Sequence, residues 1–389
     1  MNTSRNPIAF DKHEEHDEFR LVVRDFVQKE IAPFAAQWDI DCAFPMELVR
    51  KMGEIGLFGL IFPEEWGGGG GDFTSLCIAI EELGRVDQSI GITLSAGVGL
   101  GINPIYTFGS EDQKKQFLPD LVSGRALGAF ALTEPDGGSD AGATATRATY
   151  SASTRTWKLN GSKSFITNSG TEITSVIITT ARTEDGNISA FLVPAGTPGL
   201  VVEPGYRKLG WHASDTHGLT FVDCEIPEEN LLGEPGKGFH NFLTMLDGGR
   251  IAISALALGL AQACLDLSLD YAKTRNAFGG PIGRFQSIAF ALADLAVSVE
   301  NSRNLTYKAA RLKDENKPFK NVAAMAKLYS TESAVDATRL ATRVFGGSGF
   351  IEDLPIARFY RDAKILEIGE GTSEIQRLVI ARNLGLPVG

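Results

Sequence analysis

Residues 361–377 read RDAKILEIGEGTSEIQR and place one carboxylate, Glu370, between two glycines directly before a predicted helix. Glycines on both sides let the backbone and the carboxylate approach a ligand without an intervening Cβ. Thr372 or Ser373 is placed to cap a helix that begins at Glu374, and a helix entrance offers free N–H groups. The stretch alone fits either a base beside a bound ligand or an ordinary solvated acid in a capping turn, so other segments must distinguish the two.

Two further segments predict β structure. Residues 130–141 form an apolar run, FALTEPDGGSDA, that breaks into a Pro/Gly/Ser turn. Residues 163–168, KSFITN, follow Asn160-Gly161, a dipeptide typical of a tight hairpin. Each segment on its own indicates only a strand with its turn.

In this order and spacing, together with FGGSGF at residues 345–350 and the Glu370 segment, the chain closely resembles the acyl-CoA dehydrogenase family of flavoproteins over nearly its whole length. The resemblance implies an α+β fold with a helical N-terminal domain, a central β-barrel or sheet domain and a C-terminal four-helix bundle. It also implies FAD as cofactor, an acyl-CoA thioester as substrate and α,β-desaturation to a trans-2-enoyl-CoA as the reaction.

The hydrophobic periodicity supports three parts. Apolar residues recur at helical spacing to about residue 124, give way to Thr, Val and Ile with frequent Gly and Pro, and return to helical spacing after about residue 236. We therefore expect domains at residues 1–125, 126–236 and 237–389. No βαβ unit is predicted, and GVGLG at residues 97–101 lacks the G-x-G-x-x-G spacing of dinucleotide-binding folds. A nucleotide cofactor is then expected between the β domain and the helices, as the resemblance implies for FAD.

Composition excludes several classes of function. With 389 residues and 43% hydrophobic content the chain can bury a large core, and its net charge of −11 gives no basic footprint for nucleic acid. The four cysteines form no CxxC and the five histidines show no ligand spacing, which favours free thiols in a reducing cytoplasm and no metal site. The longest apolar stretch, residues 251–265, is too short to span a bilayer, so no membrane insertion is expected.

Glu370 is the residue that matches the catalytic base of the family. Desaturation removes a weakly acidic α-proton, and a carboxylate in a desolvated site has a pKa raised toward the working pH. The hydride that leaves the β-carbon needs a flavin, because no side chain can accept it. By resemblance, the Glu370 N–H and a flavin ribityl hydroxyl polarise the thioester oxygen, while Gly371 gives the thioester room. Isovaleryl-type members carry the base immediately before the residue matching Arg250, but that position here is Gly249.

The resemblance assigns the other site residues one position at a time. Flavin contacts are implied for Phe130, Leu132, Thr133, Phe165, Ile166 and Thr167, where Phe165 replaces the family's usual Trp, and at the helix entrance for Thr372, Ser373 and Glu374. The turn at Gly138 and Ser139 is implied to lie near the FAD diphosphate, with Ser139 and Gly371 beside the thioester end of CoA, and Asp247 and Arg250 are implied to lie on the helix that contacts CoA. Arg275 and Phe278 are implied to reach the FAD of a neighbouring subunit, and Gln286 follows in the same region as a further FAD contact. An adenosine-side loop contains Arg343, Phe345, Gly346 and Gly347.

Shared cofactor contacts imply an oligomer, by resemblance a homotetramer, and electrons are expected to leave to an electron-transferring flavoprotein. One alternative, an acyl-CoA oxidase, would use the same residues but pass electrons to oxygen. Another is a non-enzymatic flavin-binding member, and one that binds nucleic acid would need a basic surface, which a pI near 5.1 disfavours. A flavin monooxygenase of this fold would lack the Glu370 motif. The sequence does not specify the length or branching of the acyl chain. Residues 90–102, expected to line its pocket, are small and uncharged, which argues against a dicarboxylic acyl group. Gly369, where many members carry Tyr, leaves space beside the acyl chain.

Overall fold

Helices, then a sheet, then helices again follow one another along residues 14–388, the part of the chain that this computed structural model describes. The helices before the sheet are α1 (Glu14–Glu30), α2 (Ala35–Asp41), α3 (Met46–Glu54), α4 (Phe73–Gly84), α5 (Gln88–Ala96), α6 (Asn103–Phe108) and α7 (Glu111–Val122). Those after it are α8 (Gly238–Thr274), α9 (Gln286–Asp314), α10 (Lys320–Phe345), α11 (Pro355–Ala363) and α12 (Ser373–Asn383). The predicted fold class, helical parts on either side of a central sheet part, is confirmed.

Side chains cap the starts of α4 and α7. Asp72 accepts from the Ser75 N–H at the start of α4, and Ser110 forms a reciprocal capping box with Gln113 at the start of α7. Capping satisfies backbone donors that have no partner inside the helix. These caps fix where each helix enters the domain.

A π-helical turn at Gly97–Ile102 continues α5 and lies against the sheet. A Cβ on Gly101 would lie 2.5 Å from the Gly128 carbonyl oxygen, and a Cβ on Gly128 would lie 2.8 Å from the Gly101 carbonyl oxygen. The two backbones meet at a distance that only glycine permits on both sides. This contact sets the separation between the N-terminal helices and the sheet.

The sheet has eight strands: β1 (Leu127–Ala131), β2 (Arg147–Ser151), β3 (Thr156–Thr167), β4 (Thr174–Arg182), β5 (Ile188–Pro194), β6 (Leu200–Val202), β7 (Thr216–Pro227) and β8 (Leu231–Leu232). Their order is β6-β7-β3-β2-β4-β5-β8, and β1 pairs with β4 in parallel. Strands β4 and β5 are buried almost throughout, as their continuous Val, Ile and Ala composition predicts.

The prediction of a tight hairpin at Asn160-Gly161 was wrong, because β3 runs through both residues. The pairing of β3 with β7 shifts register between Leu159 and Gly161, and Gly161 has a φ of +148°. Its missing side chain also lets Thr146 approach, since a Cβ would lie 2.6 Å from the Thr146 Oγ1. The dipeptide therefore serves a β-bulge, which needs the same backbone freedom as a turn.

Helix α8 lies at the centre of the helical core. Leu256, Leu260 and Ala263, which lie at helical spacing along α8, are buried. By length and composition α8 is the one described helix that could cross a membrane, but 89% of its most apolar window is buried within the protein. That burial is what a core helix requires.

Candidate active site

The Glu370 turn connects the end of α11 with the start of α12. Glu370 has a φ of 51° and Gly371 a φ of 94°, so two successive residues are left-handed, a conformation that is uncommon outside glycine. Thr372 is the N-cap of α12, with its Oγ1 accepting from the Ile375 N–H at 3.2 Å. The helix starts at Ser373, one residue earlier than predicted. The turn thus aims the Glu370 side chain away from the helix that follows.

The Glu370 carboxylate lies against the middle of α8. The residue as a whole is half-buried, but its Oε2 is shut off from solvent and has no hydrogen-bond partner in the protein. A Cβ on Gly249 would lie 2.0 Å from this oxygen. The absence of a side chain at Gly249 therefore provides the space that the carboxylate occupies, and the rival base position of the isovaleryl-type branch lies directly beside Glu370.

Burial raises the pKa of Glu370 to about 7, against the opposing effect of two cations, Lys327 and Arg250. Water no longer stabilises the charged form, so the carboxyl holds its proton to a higher pH than an exposed acid does. A carboxyl that ionises near neutrality is suited to general base chemistry. The alternative of a solvated acid in a capping turn does not fit this environment.

Two donors not predicted from the sequence hold the turn beside Glu370. The Lys327 Nζ donates to the Gly371 carbonyl oxygen at 2.8 Å, and the Gln376 Nε2 donates to the same oxygen at 2.9 Å. Both side chains are buried. A signal was present for Lys327, which interrupts a stripe of small residues on α10 formed by Ala323, Ala324, Ala326, Ser330 and Thr331.

Asp247 and Arg250 are both buried on α8, next to the Glu370 carboxylate. The Arg250 Nη1 donates to Asp247 Oδ1 at 2.6 Å, and the Lys320 Nζ lies 2.8 Å from Asp247 Oδ2. The Arg250 Nε is buried without a partner in the protein. The pair is thus part of the same site as Glu370, while its contact with CoA stays a prediction.

Three predicted residues lie at the end of β1. Phe130 stacks on Phe242 of α8, with ring centroids 4.0 Å apart, and Leu132 is buried. The Thr133 carbonyl accepts from the Ser164 N–H at 2.8 Å. This hydrogen bond joins the end of β1 to β3, which carries the next group of predicted residues.

Phe165, Ile166 and Thr167 have different environments. Phe165 is 65% exposed and has a φ of 62°, at an irregularity in the pairing of β3 with β7. Ile166 is buried in the core of the sheet, and Thr167 is half-buried. Only Phe165 presents its side chain outward, so any flavin contact of Ile166 would have to come from its backbone.

The turn that contains Gly138 and Ser139 is exposed and anchored at one end. Glu134 accepts from the backbone N–H groups of Ala145 and Thr146 and from the Lys163 Nζ at 2.7 Å. Lys163 is fully buried, and a Cβ on Gly138 would meet nothing within 4 Å. The ion pair therefore fixes the base of a turn whose tip is open.

Arg275 and Phe278 lie on the exposed connection between α8 and α9, which holds a hairpin of β9 (Asn276–Ala277) and β10 (Gly280–Pro281), and the exposed Gln286 is the first residue of α9. Phe278 is 92% exposed and has a φ of 51°. None of the three contacts Glu370 within residues 14–388. Their predicted role toward a neighbouring subunit stays a prediction.

The segment from Arg343 to Gly347 ends α10. Arg343 is exposed, whereas Phe345 is buried and stacks on Tyr271 with centroids 4.2 Å apart. Gly346 has a φ of 60°, and it and Gly347 are exposed. A cofactor contact of Phe345 would thus have to come from its backbone.

At the entrance of α12, Glu374 is exposed while Ser373 is buried with its Oγ unpartnered. Within the described residues, no three His, Cys, Asp or Glu side chains are grouped as a metal ion would require.

This chain is similar to known acyl-CoA dehydrogenases in sequence and in structure. The chain matches the family descriptions "Acyl-CoA dehydrogenase, N-terminal domain" at residues 13–125, "middle domain" at 129–224 and "C-terminal domain" at 236–385. It is 49% identical to a probable acyl-CoA dehydrogenase of Bacillus subtilis (strain 168), covering 96% of this chain and 99% of that protein. It is 48% identical to the mitochondrial short-chain specific acyl-CoA dehydrogenase of Mus musculus, covering 95% and 90%.

The solved butyryl-CoA dehydrogenase of Megasphaera elsdenii has the same fold, with a TM-score of 0.92 and 44% identity over 96% of this chain and 98% of that chain. Fold, order of parts and sequence agree over almost the full length of each relative. This chain belongs to the acyl-CoA dehydrogenase family.

Proposed function

We propose that this enzyme of the acyl-CoA dehydrogenase family desaturates a short acyl-CoA to the trans-2-enoyl-CoA, with Glu370 as the base that removes the α-proton. The observation that carries the proposal is the Glu370 carboxylate itself. Its Oε2 is buried without a partner, and burial raises the pKa of the carboxyl to about 7. Such a group takes a proton from a bound substrate without competition from water.

The described residues fit FAD. The exposed Phe165 ring offers a stacking surface, the open turn at Gly138 offers backbone donors, and the unpartnered Ser373 Oγ lies at a helix entrance, where negative charge is favoured. A solved acyl-CoA dehydrogenase of Bacillus anthracis, 33% identical to this chain, is a complex with FAD. Bound FAD supplies the acceptor for the hydride that leaves the β-carbon.

The protein's own contribution is to place and ionise the base. The left-handed turn directs Glu370 at α8, Gly249 leaves room for the carboxylate, and Arg250 and Lys327 favour its ionised form. We propose that the Glu370 N–H donates to the thioester oxygen, where negative charge develops as the α-proton leaves. Gly371 leaves the adjoining space free of a side chain.

A short acyl chain is supported by two relatives, one named short-chain specific and the other butyryl-CoA dehydrogenase. The residues predicted to line the acyl pocket, at 90–102, are small or apolar, and the π-helical turn lies within this stretch. Turnover across a series of acyl-CoA esters with an artificial electron acceptor tests this proposal. A maximum at long chains would contradict it.

We also propose that a homotetramer passes electrons to an electron-transferring flavoprotein. A solved structure named for the electron transferring flavoprotein of Acidaminococcus fermentans contains a chain that matches this one with a TM-score of 0.93 and 42% identity, which supports this acceptor. Phe290 and Val297, one heptad apart on α9, are each 62% exposed, as a subunit interface would use them. Reduction of the flavoprotein, compared with oxygen consumption, separates this acceptor from the disfavoured oxidase alternative, and sedimentation gives the subunit number.

A cytoplasmic location is proposed from the cysteines. All four are free, and burial raises the pKa of the Cys77, Cys224 and Cys264 thiols. Inert buried thiols need no oxidising compartment. Fractionation of the producing cells tests this location.

The central experiment is anaerobic mixing with butyryl-CoA, followed by flavin absorbance. Glu370→Gln keeps the shape and the backbone donor but loses the proton acceptor, so flavin content and ligand binding should persist. Flavin reduction should slow by about 10²- to 10⁴-fold. Glu367→Gln, on the same segment but paired with Lys364 at the surface, is the control and should stay close to wild type. Wild-type bleaching by Glu370→Gln would show that another group is the base.

A further inference from the structure

Lys327 lies where a lysine is costly. Its side chain is fully buried, and the α10 residues around it include Ala323, Ala324 and Ser330, none of which can pair with a charge. Removing an ammonium group from water is strongly unfavourable unless its donors are used and its charge is compensated. The position therefore needs a compensating role, and the surroundings of Nζ indicate which.

The Nζ donates at 2.8 Å to the carbonyl oxygen of Gly371, the residue after the base. Because Gln376 donates to the same oxygen, two hydrogen bonds hold one peptide group of the left-handed turn. Left-handed non-glycine residues persist only where their surroundings enforce them. The clamp on Gly371 is thus positioned to hold the φ of 51° at Glu370.

The charge of Lys327 also acts on the base. Burial lowers the pKa of Lys327 to about 8, Glu370, Glu367 and Glu374 raise it, and Arg250 on α8 lowers it. Conversely, burial raises the pKa of Glu370 while Lys327 and then Arg250 lower it. Arg250 is already paired with Asp247. Lys327 is therefore the nearby cation without a carboxylate hydrogen bond of its own among the described residues.

We propose that Lys327 is a positioning residue for the reaction: its ammonium group keeps the Glu370 carboxylate ionised and, through the Gly371 carbonyl, holds it in the reactive orientation. The proposal rests on the proposed function, in which Glu370 is the base. The proposed role of Lys327 has two parts, the effect of its charge on Glu370 and the effect of its hydrogen bond on the turn, and different variants test each part.

Lys327→Gln retains a donor but loses the charge, and Lys327→Met loses both while filling a similar volume. Gln376→Met is the matched control, since it removes the other donor to Gly371 and leaves the cation in place. Lys327→Arg restores a cation and a donor. Two neutral replacements are used because one of them could disturb folding, which flavin content and thermal unfolding report.

The first measurement is the pH dependence of anaerobic flavin reduction by butyryl-CoA. Loss of a nearby cation favours the protonated Glu370 carboxyl and so raises its pKa. As the pH is lowered, the rate in both neutral variants should therefore begin to fall at a pH about one unit higher than in the wild type. Gln376→Met should slow reduction but keep the wild-type pH dependence. Lys327→Arg, which restores a cation, should have a pH dependence close to that of the wild type. A wild-type pH dependence in Lys327→Gln or Lys327→Met would overturn the proposal.

The second measurement is an infrared titration of the Glu370 carboxyl without substrate, assigned by its disappearance in Glu370→Gln. The same upward shift is expected in the neutral variants, and an unshifted band would again overturn the proposal. This readout does not depend on turnover. Failure of the wild type to reduce flavin, or full activity of Glu370→Gln, would instead overturn the proposed function while leaving the effect of Lys327 on Glu370 measurable.

Discussion

Gly249 and Gly248 are adjacent residues of α8 with opposite tolerance for a side chain. A Cβ on Gly249 would lie 2.0 Å from the Glu370 Oε2, whereas a Cβ on Gly248 would lie no closer than 3.7 Å to Lys313. Gly249→Ala should displace the carboxylate and slow flavin reduction by about 10²-fold, as for other misplaced reacting groups. Stopped-flow absorbance measures this loss.

Gly248→Ala is the control, because both changes add the same methyl group to the same helix. It should keep its activity and gain up to about 1 kcal/mol of stability from the better helix propensity of alanine. Equal rates in the two variants would contradict the steric role of Gly249. A base could be moved to position 249 by Gly249→Glu only if the side chain at position 370 is removed as well, because the two side chains would overlap. The second change must therefore be Glu370→Gly and not Glu370→Gln.

The buried Glu370 carboxyl also makes stability depend on pH. Its pKa of about 7 in the folded protein exceeds the ordinary 4.5, so the folded state binds the proton more tightly than the unfolded chain. The resulting stability is fully present below about pH 4.5 and is lost as the pH rises through about 7. The free energy of unfolding of Glu370→Gln minus that of the wild type should therefore be larger at about pH 8 than at about pH 4, by at most about 3 kcal/mol.

Urea unfolding of both proteins at the two pH values measures this difference. Glu367→Gln is the control, since it changes a carboxyl on the same segment without removing a buried charge, and it should show no comparable gain at the higher pH. A gap between wild type and Glu370→Gln that is the same at both pH values would contradict the proposed burial of the charge.

At this scale, the sequence indicated Glu370 because flanking glycines and a capping Thr are local features. Lys327 is conspicuous as an interruption of a stripe of small residues, but its role was not predicted, because its partner is a carbonyl 44 residues away in the chain. The same applies to Phe242, which was not predicted although it stacks on Phe130. Contacts between distant segments leave no local signature.

Strand β3 carries two lysines in contrasting ion pairs. Lys163 is buried with Glu134, while Lys158 pairs with Glu225 at 3.2 Å on the surface. Burial lowers the pKa of Lys163 to about 8, so the ammonium depends on its carboxylate partner. Lys163→Met leaves Glu134 buried and unpaired and should cost about 3–5 kcal/mol, whereas Lys158→Met should cost at most about 1 kcal/mol.

Thermal unfolding compares the two variants, and FAD retention on dilution reports the turn at Gly138 that Glu134 anchors. Lys163→Met should lose FAD faster than Lys158→Met does. Similar retention in both would show that the ion pair stabilises the sheet without shaping the turn. Addition of Glu134→Gln to Lys163→Met should recover part of the stability, since no charge is then left unpaired.

The elements themselves were predictable in part. The change to a β region rich in Thr, Val and Ile was predicted, and β4 and β5 show why, since strands that are buried almost throughout leave a continuous apolar pattern. Asn160-Gly161 led to an incorrect prediction of a hairpin. A β-bulge and a hairpin turn need the same backbone freedom of glycine and differ only in what the strand pairs with.

For the whole molecule, the connection between α8 and α9 offers a test of the shared cofactor site. Arg275 is exposed there, as is Lys273 in the last turn of α8. Because a guanidinium can bind a diphosphate through paired hydrogen bonds, Arg275→Ala should weaken FAD retention in the assembled protein. Lys273→Ala removes a nearby exposed charge and should not.

Flavin fluorescence released on dilution measures retention, and sedimentation verifies that both variants assemble alike. Equal retention would refute the role of Arg275 in a neighbouring site. An assembly of subunits is expected only from the family resemblance, because an exposed Arg and an exposed Phe carry no sequence pattern that indicates what would cover them.

The contact between Gly101 and Gly128 has an evolutionary consequence. Each glycine meets the backbone of the other, so no compensating side-chain change can relieve a substitution at either position. The distance between the π-helical turn and the sheet should therefore stay constant during evolution. A change of substrate must then come from changes in the side chains around this contact.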